Sequence, residues 1–267
     1  MHAWHWRTWE GLPYLTCSLL EPWHHGFFTQ QFSPSLPLEL TKVLHQSASV
    51  YRLKQVHGNT VLTPQEIVSK LAEGGDEVDG VGDSALVSGD GLISDQPLQA
   101  VWVATADCTP VLIADQKTGQ VTAIHAGWRG TALKIVPQAI TRMQAQGSKL
   151  QDLRIAMGPA IAGEVYQVSE QVAAEVGNSI LPHNDEKAIV AALYELANSP
   201  LLPDPEPGRV RLDVRRVNAL QLEQLGMSPE QMAIAPYCTY QTPEYFFSYR
   251  REKQKKVQWS GIVSNDF

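Results

Sequence analysis

Three short apolar runs in the middle of the chain constrain its fold more than any other feature of the sequence. Residues 101–106, 111–114 and 121–124 have the length and the β-branched content of buried strands, and residues 117–119 are typical of a turn. A helical pattern of apolar residues follows, in which Pro137 should kink the helix unless it lies in the first turn. These features predict three buried strands followed by a helix.

Reactive side chains interrupt this apolar pattern where two of the predicted strands end. Asp107 and Cys108 follow the first strand, and His125 follows the third. Gly127 and Gly130 then flank a Trp-Arg pair before the helical pattern begins. A thiol, an imidazole and a carboxylate next to glycines at strand ends indicate a functional site rather than core packing.

The other patterns mix helices and strands without a regular strand–helix–strand alternation. This mixture indicates an α+β fold rather than a doubly wound parallel sheet, and no repeat or boundary divides the chain, so we expect a single domain over residues 1–267. Asp213 should cap a helix that ends at Gly226. The expected elements are helices at 37–47, 169–177 and 185–197 and strands at 51–56, 153–157, 231–235 and 245–249.

Composition excludes several classes of partner. The formal net charge of −7 disfavours nucleic acid and anionic membrane surfaces, and the short basic cluster at 250–256 is expected to be a solvated strand end. No signal-peptide pattern and no apolar run of about 18 residues is seen. Three scattered cysteines, Cys17, Cys108 and Cys238, suit a reducing compartment. We therefore expect a cytoplasmic protein without nucleic-acid or membrane partners.

His57, Cys108 and His125 form the strongest candidate constellation. Each follows or ends an apolar run, where strands can bring side chains to one point. Two imidazoles and a thiolate are a known ligand set of catalytic zinc, and zinc lowers the pKa of bound water toward about 7. The same atoms also suit a cysteine nucleophile, with His125 as its base and Asp107 as the orienting carboxylate. The residues alone leave both interpretations open.

Several motifs give this sequence a close resemblance to one known family. That family is variously called laccase-domain, multicopper polyphenol oxidase, peptidoglycan-editing factor and purine nucleoside phosphorylase. The resemblance implies a four-layer α/β/β/α fold with mixed sheets, of the cytotoxic-necrotizing-factor-like cysteine hydrolase type. It also implies a zinc ion held by His57, Cys108 and His125. The motifs are KQVHGNTV at 54–61, DGLIS at 90–94, TADCTPVLIAD at 105–115, HAGWRG at 125–130, GPAI at 158–161 and CTY with FFSYRRE at 238–252.

The resemblance implies purine nucleoside chemistry, and we expect the protein to be a monomer. The implied reactions are phosphorolysis of adenosine, inosine, guanosine and methylthioadenosine, and hydrolytic deamination of adenosine. Asp107 is the candidate proton shuttle, and Arg129 and Arg250 are the candidate ligands of phosphate. Phe247 and Trp128 could stack on a purine ring, although core packing is the favoured interpretation for both.

Three alternatives are carried beside the nucleoside hypothesis. A cysteine hydrolase could act on an amide bond related to peptidoglycan, and a non-enzymatic factor could serve cell-wall quality control. Copper in place of zinc could support weak polyphenol oxidation. The 8 histidines include no His-x-His or His-Cys-His pair, so a true multicopper oxidase centre is not expected.

Overall fold

The computed structural model describes residues 2–73, 78–79 and 86–265. Its helices are α1 (Pro37–Leu44), α2 (Pro64–Glu73), α3 (Trp128–Ala132), α4 (Ile135–Ala145), α5 (Glu170–Gly177), α6 (Glu186–Tyr194), α7 (Val214–Gln224) and α8 (Tyr249–Glu252). Its strands are β1 (Trp4–Trp9), β2 (Leu12–Cys17), β3 (His25–Phe28), β4 (Ser49–Arg52), β5 (Val61–Leu62), β6 (Val78–Asp79), β7 (Leu86–Val87), β8 (Gly91–Ile93), β9 (Gln99–Thr105), β10 (Thr109–Asp115), β11 (Val121–Ala126), β12 (Leu153–Met157), β13 (Gln167–Ser169), β14 (Leu201–Pro203), β15 (Arg209–Leu212), β16 (Met232–Ile234) and β17 (Gln258–Val263).

Two six-stranded mixed sheets form the centre of the fold. Sheet one has the order β1-β2-β3-β17-β9-β4, and sheet two has the order β16-β12-β10-β11-β8-β5. Most neighbouring strands are antiparallel, whereas β4 is parallel to β9, β5 to β8 and β16 to β12. A smaller sheet, β13-β15-β14, packs with α5 and α6 around its own apolar cluster. The predicted α+β class with mixed sheets is confirmed.

Alternation along the central strands sets the order of the layers. Val101 and Leu112 point into the cluster between the two sheets, so this interface is the main core. Trp102, the next residue along β9, packs with α1 on the outer face of sheet one. Val111, the residue before Leu112, packs with α4 and α7 on the outer face of sheet two. The packing therefore has the order helix, sheet, sheet, helix.

The three strands predicted in the middle of the chain are β9, β10 and β11, but the helix after them is broken. Lys134 has a φ of 57° and separates α3 from α4. Pro137 lies in the first turn of α4, where its missing N–H costs no hydrogen bond. Leu133 belongs to the apolar pattern that predicted one continuous helix, yet it is 53% exposed at this break.

The prediction of a strand at 245–249 is wrong. Phe246 is buried, and Ser248 caps the short helix α8 by accepting a hydrogen bond from the Arg251 N–H. The chain then returns as β17, a strand inside sheet one that was not predicted. Helix α2 was also missed, although Thr63 and Glu66 exchange the two hydrogen bonds of a capping box at its start. No helix of the described residues is long and apolar enough to cross a membrane.

Candidate metal centre

The candidate residues meet at one end of sheet two because its neighbouring strands are antiparallel. Cys108 immediately precedes β10, and His125 lies near the end of β11, whose register pairs His125 with Pro110. His57 lies in the connection between β4 of sheet one and β5 of sheet two. Cys108 likewise lies where the chain passes from sheet one to sheet two.

The three predicted ligands form one compact cluster. The candidate ligand atoms of His57, Cys108 and His125 all lie within 4.8 Å of one another. The two imidazole rings have centroids 4.8 Å apart and are nearly perpendicular, at 80°. His57 is exposed, Cys108 is half-buried and His125 is buried, so the cluster opens toward solvent on the His57 side.

Asp90 holds the two histidine segments together. Its buried carboxylate accepts a hydrogen bond from His125 Nδ1 at 2.8 Å. It also accepts backbone N–H bonds from Val56 at 3.2 Å, His57 at 2.9 Å and Gly58 at 2.8 Å. Because His125 donates from Nδ1, its Nε2 is left as the ring nitrogen that can bind a metal.

Sequence reasoning missed the role of Asp90. It begins the DGLIS motif directly before β8, a strand of only three residues. The neighbouring strand β11 runs antiparallel to β8, so the start of β8 lies beside the end of β11 that bears His125. A carboxylate at the start of a strand at this end of the sheet was the available signal.

Local backbone geometry leaves room for the cluster. A Cβ at Gly127 would lie 2.8 Å from Cys108 Sγ and 3.5 Å from His57 Cδ2, so a larger residue cannot fit without moving a ligand. His57 itself has a φ of 62°, in the left-handed region that non-glycine residues rarely adopt. The hydrogen bond from its N–H to Asp90 holds this conformation.

The electrostatics of the metal-free cluster favour a thiolate beside a protonated imidazole. Burial alone would raise the pKa of Cys108, but the charges and hydrogen bonds of His125 and His57 outweigh it and lower the pKa to about 6. Burial would likewise lower the pKa of His125, but Cys108 and Asp90 raise it to about 9. The thiolate is therefore available as a ligand at neutral pH, and metal binding would displace the imidazolium proton.

These residues fit a bound metal ion. A thiolate and two imidazoles are soft-to-borderline donors of the kind that zinc and copper prefer, and three protein ligands leave a position for substrate. Metal-binding histidines usually donate the N–H of their other ring nitrogen to a carboxylate or carbonyl, and His125 makes this contact with Asp90. The geometry therefore supports a metal centre, and it does not identify the metal.

Asp107 lies beside the cluster, but its carboxylate is engaged on both oxygens. Oδ1 accepts a hydrogen bond from the Thr239 hydroxyl, and Oδ2 accepts one from the Arg250 backbone N–H, each at 2.7 Å. Asp107 is buried and has a φ of 90°. These contacts fasten the C-terminal segment that carries Arg250 to the residue that precedes Cys108.

Two arginines, Arg129 and Arg250, each lie over an aromatic ring in the neighbourhood of Cys108. The Arg250 guanidinium lies 4.7 Å from the Tyr166 ring centroid and donates from Nη1 to the Gln167 carbonyl at 2.7 Å. Burial, together with the nearby Cys108 thiolate, raises the pKa of Tyr166 to about 12. Exposed Arg129 lies 4.4 Å from the ring of its neighbour Trp128.

Three other residues considered from the sequence, Trp128, Cys238 and Phe247, are not part of the ligand cluster. Trp128 is half-buried and packs against the cluster around α5 and α6, which agrees with the favoured core interpretation. Cys238 is buried and its sulfur accepts a hydrogen bond from the Ala162 N–H, as expected for a packing residue. Half-buried Phe247 exchanges backbone hydrogen bonds with the Gln258 side chain, and its ring lies 5.6 Å from Lys256 Nζ.

The chain is similar in sequence and in fold to several known proteins. Residues 38–264 match the family described as multi-copper polyphenol oxidoreductase laccase. The purine nucleoside phosphorylase slr1573 of Synechocystis sp. is 53% identical over 265 residues, which cover 98% of this chain and 97% of that protein. The adenosine deaminase RL5, from an unknown prokaryotic organism, is 28% identical over 63% of this chain and 59% of that protein. The crystal structure of YlmD from Geobacillus stearothermophilus has the same fold, with a TM-score of 0.78, 22% identity and coverage of 98% and 99%.

Proposed function

This chain belongs to the multi-copper polyphenol oxidoreductase laccase family, and from that premise we propose that it is a metal-dependent enzyme that cleaves purine nucleosides by phosphorolysis. The observation that carries the proposal is the cluster of His57, Cys108 and His125 braced by Asp90, in a chain 53% identical to a protein named purine nucleoside phosphorylase. Phosphorolysis transfers the sugar from the purine base to phosphate, so the site must hold an anion beside the nucleoside.

The proposed metal ligands are His57, Cys108 and His125, and zinc is the proposed ion. A bound zinc ion would act as a Lewis acid on a substrate oxygen. Asp90 would keep His125 in the correct tautomer and fix the His57 backbone, so both imidazoles would be oriented before substrate arrives. Preorganised ligands reduce the reorganisation that the reaction requires.

Arg250 is the residue that we propose to hold phosphate, together with Arg129. One Nη1 bond of Arg250 goes to the Gln167 carbonyl, and the other N–H groups of its guanidinium can donate to an anion. Asp107 would act here through its bond to the Arg250 N–H, which places this arginine near Cys108. Both Asp107 oxygens already accept hydrogen bonds, so we assign it this positioning role before that of a proton shuttle.

The purine base requires an apolar surface with a flat face. Phe247 is half-buried and lies three residues before Arg250, so we propose that it borders the base while Arg250 binds phosphate. Tyr166 is less suited to stacking because the Arg250 guanidinium covers one face of its ring. Adenosine, inosine, guanosine and methylthioadenosine are the proposed substrates.

Hydrolytic deamination of adenosine is the second candidate, because one relative is named adenosine deaminase. It would use the same centre with water in place of phosphate.

A cysteine hydrolase acting on an amide bond remains a hypothesis for the metal-free protein, in which the Cys108 pKa is lowered to about 6. The cytotoxic-necrotizing-factor-like classification likewise remains a prediction. Among the described residues, His57, Cys108 and His125 form the one group of three or more potential metal ligands. A multicopper oxidase needs more than one such group, so this reaction is not favoured.

Phosphate kinetics of Arg250→Ala test the proposal. Loss of a charge-assisted hydrogen bond costs about 1.5–3 kcal/mol, so the KM for phosphate should rise about 10–150-fold while bound metal is unchanged. Arg209→Ala is the control, because Arg209 is an exposed arginine paired only at 3.8 Å with Glu206. Turnover of adenosine to inosine with no dependence on phosphate would refute phosphorolysis and favour deamination.

A further inference from the structure

A second cavity lies on the outer face of sheet one, between the loop before α1 and the start of β17. Its volume is about 220 Å³. Phe28, Phe32 and Leu40 contribute apolar surface to its floor, and half-buried Trp259 forms a wall. Phe28 and Phe32 meet edge to face with centroids 4.9 Å apart, so this surface is a packed aromatic one. None of the metal-centre residues lines it.

The rim of this cavity is positively charged. Lys255 and Lys256 line it, together with the hydroxyl residues Ser33 and Ser35. Within the described ranges, neither lysine forms an ion pair with a carboxylate; the interaction found for Lys256 is with the Phe247 ring. In a chain with a net charge of −7, two adjacent lysines without acidic partners over an aromatic floor form a distinct local feature.

Two further charged groups, of opposite sign, lie near the cavity. The Glu39 carboxylate at the start of α1 accepts the backbone N–H of Leu36, which lines the cavity, and within the described ranges it forms no ion pair with Lys255 or Lys256. The Arg52 guanidinium lies 5.8 Å from the ring of Trp259 and adds a further cation on this side of sheet one. The predicted solvated strand end is found, since the exposed residues 253–257 lead directly into β17, and two of its lysines, Lys255 and Lys256, also line this cavity.

We propose that this cavity is a second ligand site, which binds a small aromatic carboxylate. The aromatic walls favour a flat ring, and the lysines favour an anionic group on that ring. Drug-sized ligands occupy pockets of about 300–1,000 Å³, so a 220 Å³ cavity suits one or two fused rings rather than a nucleotide. This inference is independent of the reaction proposed for the metal centre.

Isothermal titration with indole-3-acetate tests the proposal on the full-length, metal-loaded protein. The Lys255→Ala/Lys256→Ala variant should bind at least tenfold more weakly than the unmodified protein. A matched control, Lys149→Ala/Lys187→Ala, removes two exposed lysines elsewhere and should bind normally. Val257→Glu adds a negative charge at a rim position that is 41% exposed, and it should weaken binding without disturbing the core.

Three outcomes of the titration with indole-3-acetate would overturn the assignment. The first is an absence of indole-3-acetate binding at millimolar concentration, and the second is equal affinity in both lysine double variants. The third is loss of binding in Cys108→Ala, which would place the carboxylate on the metal centre instead. Adenosine 5′-monophosphate is the comparison probe, and tighter binding of this nucleotide at the same lysines would replace the carboxylate assignment with a nucleotide site.

Discussion

Replacing Asp90 by Asn should weaken metal binding and also lower the stability of the metal-free protein. The carboxylate accepts four N–H groups, from His125 Nδ1 and from the backbone of Val56, His57 and Gly58. His57 and His125 donate to one carboxylate oxygen, and Val56 and Gly58 donate to the other, so the NH₂ group of a carboxamide must face one of these two pairs of N–H groups. The variant therefore disturbs either the two histidines themselves or the backbone on both sides of His57.

The size of the effect follows from the kind of bond that is lost. Replacing the residue that hydrogen-bonds to a metal-binding histidine usually lowers metal affinity about 10–100-fold, which is about 1.4–2.7 kcal/mol. Loss of one hydrogen bond to a buried charge should lower the free energy of unfolding of the metal-free protein by about 1.5–3 kcal/mol. Both effects should appear in the same variant.

The assay is zinc competition with a chromophoric chelator, combined with urea unfolding of the chelator-treated protein. Asp95→Asn is the control, because Asp95 lies beyond the other end of β8 and its carboxylate also accepts hydrogen bonds, from the Gln65 N–H and from Gln99. It should lose stability and keep its metal affinity. Unchanged zinc affinity in Asp90→Asn would refute the bracing role of Asp90.

The pH dependence of stability provides a further check on the same residue. Burial alone would raise the pKa of Asp90, but the hydrogen bond from His125 and the backbone N–H groups lower it below its ordinary value. A lowered folded-state pKa means that the stabilisation is complete above the unfolded value of about 3.9 and is lost as the pH falls through the folded value. Asp90→Asn should therefore flatten the acid limb of the stability curve.

Three further predictions concern the cluster itself. Cys108→Ala should lose both metal and activity while its far-ultraviolet circular dichroism stays unchanged, and full zinc occupancy in this variant would remove Cys108 from the ligand set. In the metal-free protein, alkylation of Cys108 by iodoacetamide should have a midpoint near pH 6, and His125→Gln should move that midpoint upward, because the imidazolium helps to lower the thiol pKa. Gly127→Ala should reduce zinc affinity at least tenfold, since its Cβ would lie 2.8 Å from the Cys108 sulfur; Gly58→Ala is the tolerated control, because its Cβ would approach Asp90 no closer than 3.6 Å.

The three candidate ligands could be singled out from sequence because they follow or end apolar runs, and the structure brings them into one cluster. Cys108 and His125 interrupt strongly apolar strands, and antiparallel pairing of β10 with β11 brings their ends together. Asp90 could not be found in the same way, since the strand that follows it has three residues and a weak pattern. Its role depends on neighbours 33 and 35 residues away, which only the sheet order brings into contact.

In the C-terminal region a clear local sequence pattern predicted the wrong secondary structure. Residues 245–249 are aromatic and resemble a strand, yet Phe246 anchors an irregular segment and Ser248 starts a helix. Tertiary contacts decide this outcome, including the bond from the Arg250 N–H to Asp107 across 143 residues. A local pattern cannot contain such a contact, so the positioning role proposed for Asp107 emerged only from the structure.

One measurement tests the central claim most directly: chromatography of the products formed from adenosine in phosphate buffer by metal-loaded and by chelator-stripped protein, with metal content verified in both. We predict adenine and ribose 1-phosphate from the metal-loaded protein alone, with activity restored when zinc is returned. The claim would be contradicted if the metal-loaded protein left adenosine unchanged, or if the stripped protein turned it over at the same rate.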